Sequence, residues 1–463
     1  MKNLIISACI IGLFLELSGA FWTMKSDPPS EAFLRLTTPP ARSIHHPLEN
    51  GYFVLLGLTA STGRDPVQTG YDIWLESEAH LTRAGFDFNK PGRLDLTLPA
   101  SVDRLIPAWN EADPLAAFHE DTPNTGASKE LLHTLTTRYA QWLTMAFEDW
   151  GYARQGTPRV EDILGAHRLY LAEGFRQQHS VGFQRLAADL KKWRTVLRDA
   201  RTPAMKILAT VMIDDSSQLL ARMLSQDHAD RALLSQGVEL LKPLSPEEYS
   251  LQWPLQSQFA FAYERHRAIT PTTMMEPVRD WSAAEALAQA AHLRPDTFQK
   301  LDHPVNRTAL AASPDHQHTW NTLAAYYEAT SAAALSGHSP LPTFREIAAQ
   351  SSRTFIERIT QPIDFEPAWT PISHRLADTD ARLRLVSLQL LLHKSPAAMS
   401  IPNRLAEIGS QYFDPFTGLP MLWSPTQHKL YSVGHDRLDD GGDPSFDISV
   451  PVPRTLTEPS HRS

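Results

Sequence analysis

A mainly α fold is predicted, with one large helical domain followed by a small α+β region at the C-terminus. Three observations predict it. Through the middle of the chain, apolar residues recur at steps of three and four, the period of a helix face. Helix-opening pairs of a hydroxyl residue and a carboxylate three positions on recur there as well. Strand-like alternation is scarce before Met421, after which short apolar runs alternate with turn signals.

The chain has 463 residues, 42% of them hydrophobic and 21% charged, enough for a sizeable core and two or three domains. Its formal net charge is -9, and no Lys/Arg stripe interleaves with aromatics, which excludes nucleic acid as an expected partner. Cys9 is the single cysteine. Disulfides, thiolate-bound zinc and cysteine nucleophiles are therefore excluded from everything beyond the N-terminal segment.

Leu4 to Met24 is apolar apart from Ser7, Glu16, Ser18 and Thr23, and is flanked by Lys2 and Lys25. About 20 such residues span a bilayer, and Phe21-Trp22 suits the membrane interface. Residues 1–24 are thus expected to anchor the chain in the inner membrane. A cleaved signal peptide ending at Ser18-Gly19-Ala20 is the alternative. Either way the bulk of the chain is expected in the periplasm. Residues 25–48, rich in proline, read as a tether.

The helical domain is expected over residues 49–375. Leu131, Leu135, Tyr139, Trp142, Ala146 and Trp150 mark one helix face. A long helix is expected from Pro158 to about Arg198, with Thr157 as its N-cap, and a further one over Met205–Leu224. Ser245 with Glu248, Ser282 with Glu285 and Thr343 with Glu346 are capping boxes. Met274-Met275, Trp281 and Trp320 read as core.

Reaction chemistry is mostly missing from the local sequence. Gly-x-Ser-x-Gly, His-Glu-x-x-His and P-loop motifs are absent. Asp315-His316-Gln317-His318 is the densest histidine cluster, but it precedes a helix and reads as a cap or turn. Glu76 and His80 are expected to pair across one helical turn. Asp214-Asp215 interrupts an apolar run and reads as a kink or turn with solvated aspartates, a buried acid being the alternative.

After "DTDARLRLVSLQLLLHKSP", expected as the last helix, come the turn signals Asp414-Pro415 and Thr417-Gly418. His428–Val433 and Asp447–Val452 read as strands. Between them Asp436, Asp439, Asp440, Asp443 and Asp447 crowd into one loop. The succession Asp414-Pro415, Gly418, Leu430-Tyr431-Ser432-Val433-Gly434, Asp436, Gly441-Gly442 and Asp447-Ile448 resembles the C-terminal half of the major pseudopilin of type II secretion systems. That resemblance covers about the last 75 residues on its motif spacing. It implies a pseudopilin-like region over 376–453 and a structural calcium ion; residues 454–463 are expected to be a disordered tail. Asp436 and Asp447 would be side-chain ligands, with carbonyls such as those of Leu430 and Val433. "ENGYFVLLGLTASTGRDPVQTGYDIW" is similar to the start of anchored proteobacterial envelope proteins of unknown role.

Elementary chemistry points the same way, since calcium takes about six to eight oxygen ligands and suits clustered aspartates on a turn. Counted from Asp436, Asp440, Gly441 and Asp447 fall at positions of a partial EF-hand loop, but Leu438 and a following strand do not fit one. Asp440 joins the candidate ligands on that spacing. The alternative is a solvated acidic turn.

Three functions are compatible with this sequence. The first expectation is a membrane-tethered periplasmic binding or scaffold protein, taking a protein or other envelope ligand and stabilised by calcium. The second is a periplasmic enzyme, such as a hydrolase, with a site in the helical domain. The third is an accessory component of a secretion apparatus. A deep cleft with converging His, Asp or Glu would favour the second, and a shallow groove the first.

Overall fold

The computed structural model describes residues 27–80, 106, 109, 127–152, 158–225, 237–268, 282–302, 316–335, 340–351, 369–394 and 399–456. In chain order the helices are α1 (Glu31–Thr37), α2 (Gly51–Leu56), α3 (Pro66–His80), α4 (Ala127–Thr144), α5 (Val160–Gln177), α6 (His179–Asp199), α7 (Pro203–Leu224) and α8 (Pro246–Tyr249). There follow α9 (Gln252–Ala268), α10 (Ser282–Ala290), α11 (Thr297–Asp302), α12 (His316–Leu335), α13 (Phe344–Ser351), α14 (Thr370–Lys394) and α15 (Ile401–Ile408). A small antiparallel sheet closes the chain: β1 (Leu422–Ser424), β2 (Lys429–Ser432) and β3 (Ile448–Pro451), in that spatial order. The fold is mainly α with a small α+β end, as the periodicity predicts. The N-terminal segment expected to be an anchor or signal lies outside the described residues. No helix among the described residues is long and apolar enough to cross a membrane.

The expected long helix over 158–198 is two helices. Arg159 is the N-cap of α5, and the backbone turns extended at Gln178 (φ -166°, ψ 141°) before α6 starts. Glycines make the hairpin tight. A Cβ on Gly174 would lie 3.1 Å from the Cα of Gly182, and one on Gly182 would run into the Phe175 ring. Their apolar faces bury Ile163, Leu169, Leu171, Leu186, Leu190 and Trp193 against α4 and α7. Thr202 caps α7 by accepting from the Met205 N–H, with Pro203 in the first turn. The Ser245–Glu248 and Thr343–Glu346 boxes form as expected.

Residues 27–48, the described part of the tether expected over 25–48, lie on the helical body instead. Ser30 caps α1, whose Phe33 packs edge-on against Phe259 and Tyr263 at 5.8 and 4.9 Å between ring centroids. Asn321 accepts from the Ser30 N–H and donates to the Pro28 carbonyl, both at 2.9 Å. Arg35 pairs with Glu328 at 2.7 Å, and the Arg42 guanidinium lies 3.9 Å above the Trp150 ring. Glu148, itself paired with Arg201 at 2.6 Å, accepts from the Ser43 and Ile44 N–H groups. Apolar cover at Phe33 and paid-up backbone polar groups hold this segment down, although its prolines suggest an open chain.

The expected domain boundary at 375/376 falls inside α14. That helix packs on α7 through one face and against β2 and β3 through another. Leu383, Leu385, Val386 and Leu390 are fully buried there. The body and the C-terminal sheet therefore share one core. Helix α15, which follows "LLLHKSP", is an element the sequence reading misses. Strands β2 and β3 match the two expected strands to within one residue at each end, whereas β1 is a third strand beyond them; Leu430 pairs with both Trp423 and Val450.

Helices α2 and α3 pack closely enough to demand glycine. A Cβ on Gly70 would fall on the Phe53 carbonyl oxygen, and one on Gly57 on the Pro66 carbonyl. Neither oxygen can retreat without breaking its helix. Gly70→Ala is expected to cost about 3 kcal/mol or more by overpacking, read as a lowered urea midpoint. Gly63→Ala, where the added Cβ meets nothing but the backbone has φ +89°, should cost about 1 kcal/mol.

Candidate functional site

Three groups of polar side chains have the composition of a functional site. The first is the acidic loop. Asp436, Asp439, Asp440 and Asp443 are exposed, while Asp447 is buried. Several of these carboxylates serve their own loop: Asp436 accepts from the Leu438 N–H at 3.1 Å, Asp439 from Gly441 at 2.9 Å and Asp443 from Ser445 at 2.9 Å. These are turns in which a short side chain replaces a backbone acceptor. Asp447 turns inward. Its Oδ2 accepts from the Gly442 N–H at 2.7 Å, and its Oδ1 is buried without a hydrogen-bond partner. Burial raises its pKa above the usual carboxylate range, assisted by the charges of Asp440 and Asp439.

Leu430 sits at the centre of the sheet, so its backbone belongs to the ladder. Val433 is buried, and its N–H donates to Asp414 Oδ2 at 3.3 Å. Asp414 is the aspartate of the Asp-Pro turn, and its other oxygen accepts from Phe416 at 2.8 Å. That carboxylate hooks the turn to the end of β2. Among the five predicted ligands, Asp447 is the one whose carboxylate has a buried oxygen without a hydrogen-bond partner. No three His, Cys, Asp or Glu side chains converge into a metal-binding group among the described residues.

The second group lies in the core, where sequence reasoning expected solvated aspartates. Asp214 and Asp215 are 3% and 4% exposed, in the middle of an unbroken α7. Asp214 pairs with Arg375 of α14 at 2.6 Å. Asp215 is gripped by Arg168 at 2.5 Å and accepts from the indole N–H of Trp109 at 2.5 Å. Its Oδ2 also lies 3.2 Å from His167 Nε2, while His167 Nδ1 lies 3.2 Å from Asp189 Oδ1. One imidazole thus bridges two carboxylates from different helices. Tyr139 donates to Asp189 at 2.5 Å and accepts from the Trp193 indole at 2.8 Å; Ser216 donates to the other Asp189 oxygen at 3.2 Å.

Burial alone would lower the His167 pKa, but Asp189 and Asp215 override it and push it to about 9. Burial would likewise raise Asp215, and His167 and Arg168 hold it low instead. The composition is that of an acid–base site. However, Tyr139, His167, Asp189 and Trp193 are all 0% exposed. A substrate cannot touch them, so the network is a structural tie between α4, α5, α6 and α7. The sequence did carry a signal for it. Asp189 and His167 occupy the apolar face of their helices, Asp189 between Leu186 and Trp193, His167 between Ile163 and Leu171.

The third group is open to solvent. A cleft of about 340 Å³ lies between the start of α14 and the C-terminal region. Thr370, Ser373, His374 and Ala377 line it from α14, Pro415 and Phe416 from the Asp-Pro turn, His435 and Arg437 from the acidic loop, and Pro340 and Leu341 from the approach to α13. The His374 and His435 rings stack with centroids 4.9 Å apart and planes at 26°. Burial and the His435 charge both lower the His374 pKa. Arg437 takes a left-handed backbone (φ +60°), a conformation that costs a non-glycine residue about 1 kcal/mol. Among the described residues of this lining no nucleophile and base stand within hydrogen-bonding reach of one another, as acyl or phosphoryl transfer would need. Nothing local in the sequence joins His374 to His435, because α14, α15 and two strands separate them.

His318, from the histidine cluster, pairs with Asp27 at 2.9 Å. Asp315 and the side chains of His316 and His80 lie outside the described residues, and His45-His46 is exposed as expected. Comparison of the chain with family models, with curated proteins and with solved structures gives no match.

The core network sets a pH dependence. The His167 pKa rises from 6.5 unfolded to about 9 folded, so its contribution is complete below 6.5 and is lost as pH rises through 9. Lys206, buried with its pKa lowered to about 7, has the opposite sign over part of that range. The comparison must therefore be between wild type and His167→Gln. Between pH 6 and pH 9.5, urea denaturation should show wild type losing on the order of 3 kcal/mol more than the variant.

Proposed function

We propose that this is a binding protein of the cell envelope, not an enzyme, and that its ligand enters the cleft between α14 and the C-terminal loop. One contrast carries this reading. The side chains with catalytic composition are sealed in the core, while the open cavity has polar donors without a nucleophile–base pair. A cavity of about 340 Å³ is at the small end of the range for small-molecule sites, with an apolar wall and a few convergent polar groups. The expected N-terminal anchor would hold this body at the periplasmic face of the inner membrane.

The test has two arms. Chromogenic carboxyl-ester, phosphate-ester and amide substrates should show no turnover above background. A thermal-shift panel of small acids, bases, sugars and alcohols should contain compounds that raise the melting temperature of wild type and not of Ser373→Trp, which fills the cleft. Turnover of an ester that disappears in His374→Gln would replace this reading with a hydrolase.

For the tail we keep calcium as the proposed ion. The observation in its favour is Asp447 Oδ1, a buried carboxylate oxygen with no hydrogen-bond partner. Asp436 and Asp440 point to solvent, so an ion held by all three would require the loop to turn inward. Because α14 belongs to the shared core, the full chain is the right sample. Calcium at millimolar concentration should raise its melting temperature over chelator by a few degrees, and Asp447→Asn should remove the difference. Equal melting curves would leave an acidic turn with water at Asp447.

A further inference from the structure

The cleft is unlike the rest of the surface in charge. The chain carries 52 acidic against 43 basic residues. Yet among the described residues the lining holds one arginine, two histidines, a serine and a threonine, and no carboxylate. Arg437 has no ion-pair partner among the described residues. Asp436 accepts from the Leu438 N–H, and Asp378, one turn along α14, has Arg375 and Arg382 as charge partners besides His435 of the lining. The first turn of α14, a helix of 25 residues, adds the positive end of its dipole to the same wall.

We propose that this cleft binds a small anion bearing a carboxylate or phosphate group, gripped by Arg437 and the stacked His374–His435 pair. The inference rests on the reading of the cleft as the ligand port and names the chemistry that it selects. A guanidinium presents two parallel N–H groups that match either oxyanion. An imidazole offers an N–H whether or not it carries a second proton. Ser373 and Thr370 supply hydroxyls from α14. Phe416, Pro415 and Leu341 form the apolar wall, which suits a short carbon skeleton behind the charged group. The volume limits the ligand to about the size of a dicarboxylic acid or a small phosphate ester.

Isothermal titration of the full chain tests this with inorganic phosphate and succinate as separate probes, at constant ionic strength, and glycerol and benzyl alcohol as neutral probes. At least one anion should bind saturably. Arg437→Gln should weaken it tenfold or more, His374→Gln and His435→Gln should each weaken it severalfold, and Ser373→Trp should abolish it. Arg437 and His435 are exposed, so their variants should fold normally, as unchanged melting would verify. Phosphate binding without succinate binding identifies a phosphate site, and the reverse identifies a carboxylate site.

Anion binding that ignores all four substitutions would overturn the proposal, since the anion would then sit elsewhere. Binding of a neutral probe alone, lost in Ser373→Trp, would overturn the anionic assignment and leave the cleft as a port. Zinc chloride bound through His374 and His435, with no anion bound, would make the pair a metal site and overturn the assignment equally. If neither anions, neutral probes nor zinc bind wild type, both the assignment and the reading of the cleft fall.

Discussion

Buried charge is the constraint on which this fold depends. Asp189, Asp214, Asp215, His167 and Lys206 are taken out of water in the middle of a helical core. Each such ion would cost several kcal/mol if left alone. The helices must therefore meet in the arrangement that pairs them. His167 between Asp189 and Asp215 fixes α5 against α6 and α7, and Arg375 on Asp214 fixes α14 against α7. Lys206 spends its ammonium on the Leu197 carbonyl at 2.7 Å, tying the start of α7 to the end of α6. Apolar packing makes the body compact, but helices with smooth apolar faces can slide. A histidine that needs two carboxylates has one register.

That constraint also places the cleft. Helix α14 is held in the body by Arg375 and Arg382, its apolar side packs on the sheet, and its first turn forms the cleft wall. Asp414 anchors the opposite wall by accepting from both Phe416 and Val433. His374 and His435 meet because two rigid pieces meet there. The polar lining of the cleft sits on a scaffold that the core has already fixed.

Helical periodicity made the general architecture legible. Leu135, Tyr139 and Trp142 lie one turn apart and are fully buried, and the capping residues Ser245 and Thr343 start helices where a hydroxyl and a carboxylate can satisfy free N–H groups. The break at Gln178 was hidden, because α5 and α6 are both amphipathic and the hairpin between them uses no proline. Asp214-Asp215 misled for a physical reason. Local sequence reads an aspartate as solvated, and only distant tertiary partners, Arg168 and Arg375 among them, offset the cost of burial. The acidic loop drew attention by charge density, yet most of its carboxylates serve nearby backbone. The two histidines of the cleft carry no sequence signal, since their meeting depends on long-range packing.

The docked N-terminal segment bears on mechanics. The described chain begins at Asp27, where a carboxylate meets His318 on α12; Pro28 and Ser30 then meet Asn321, Phe33 enters its aromatic pocket, and Arg35 and Thr38 follow on Glu328 and Gln256. A pull on the start of the chain would load these contacts in series, first those of Asp27, Pro28 and Ser30, then Phe33, and then those of Arg35 and Thr38. Tension would be spent peeling α1 from α9 and α12 before it reached the charged core or the sheet. The segment would act as a fuse that protects the rest of the molecule from strain applied at its N-terminal end.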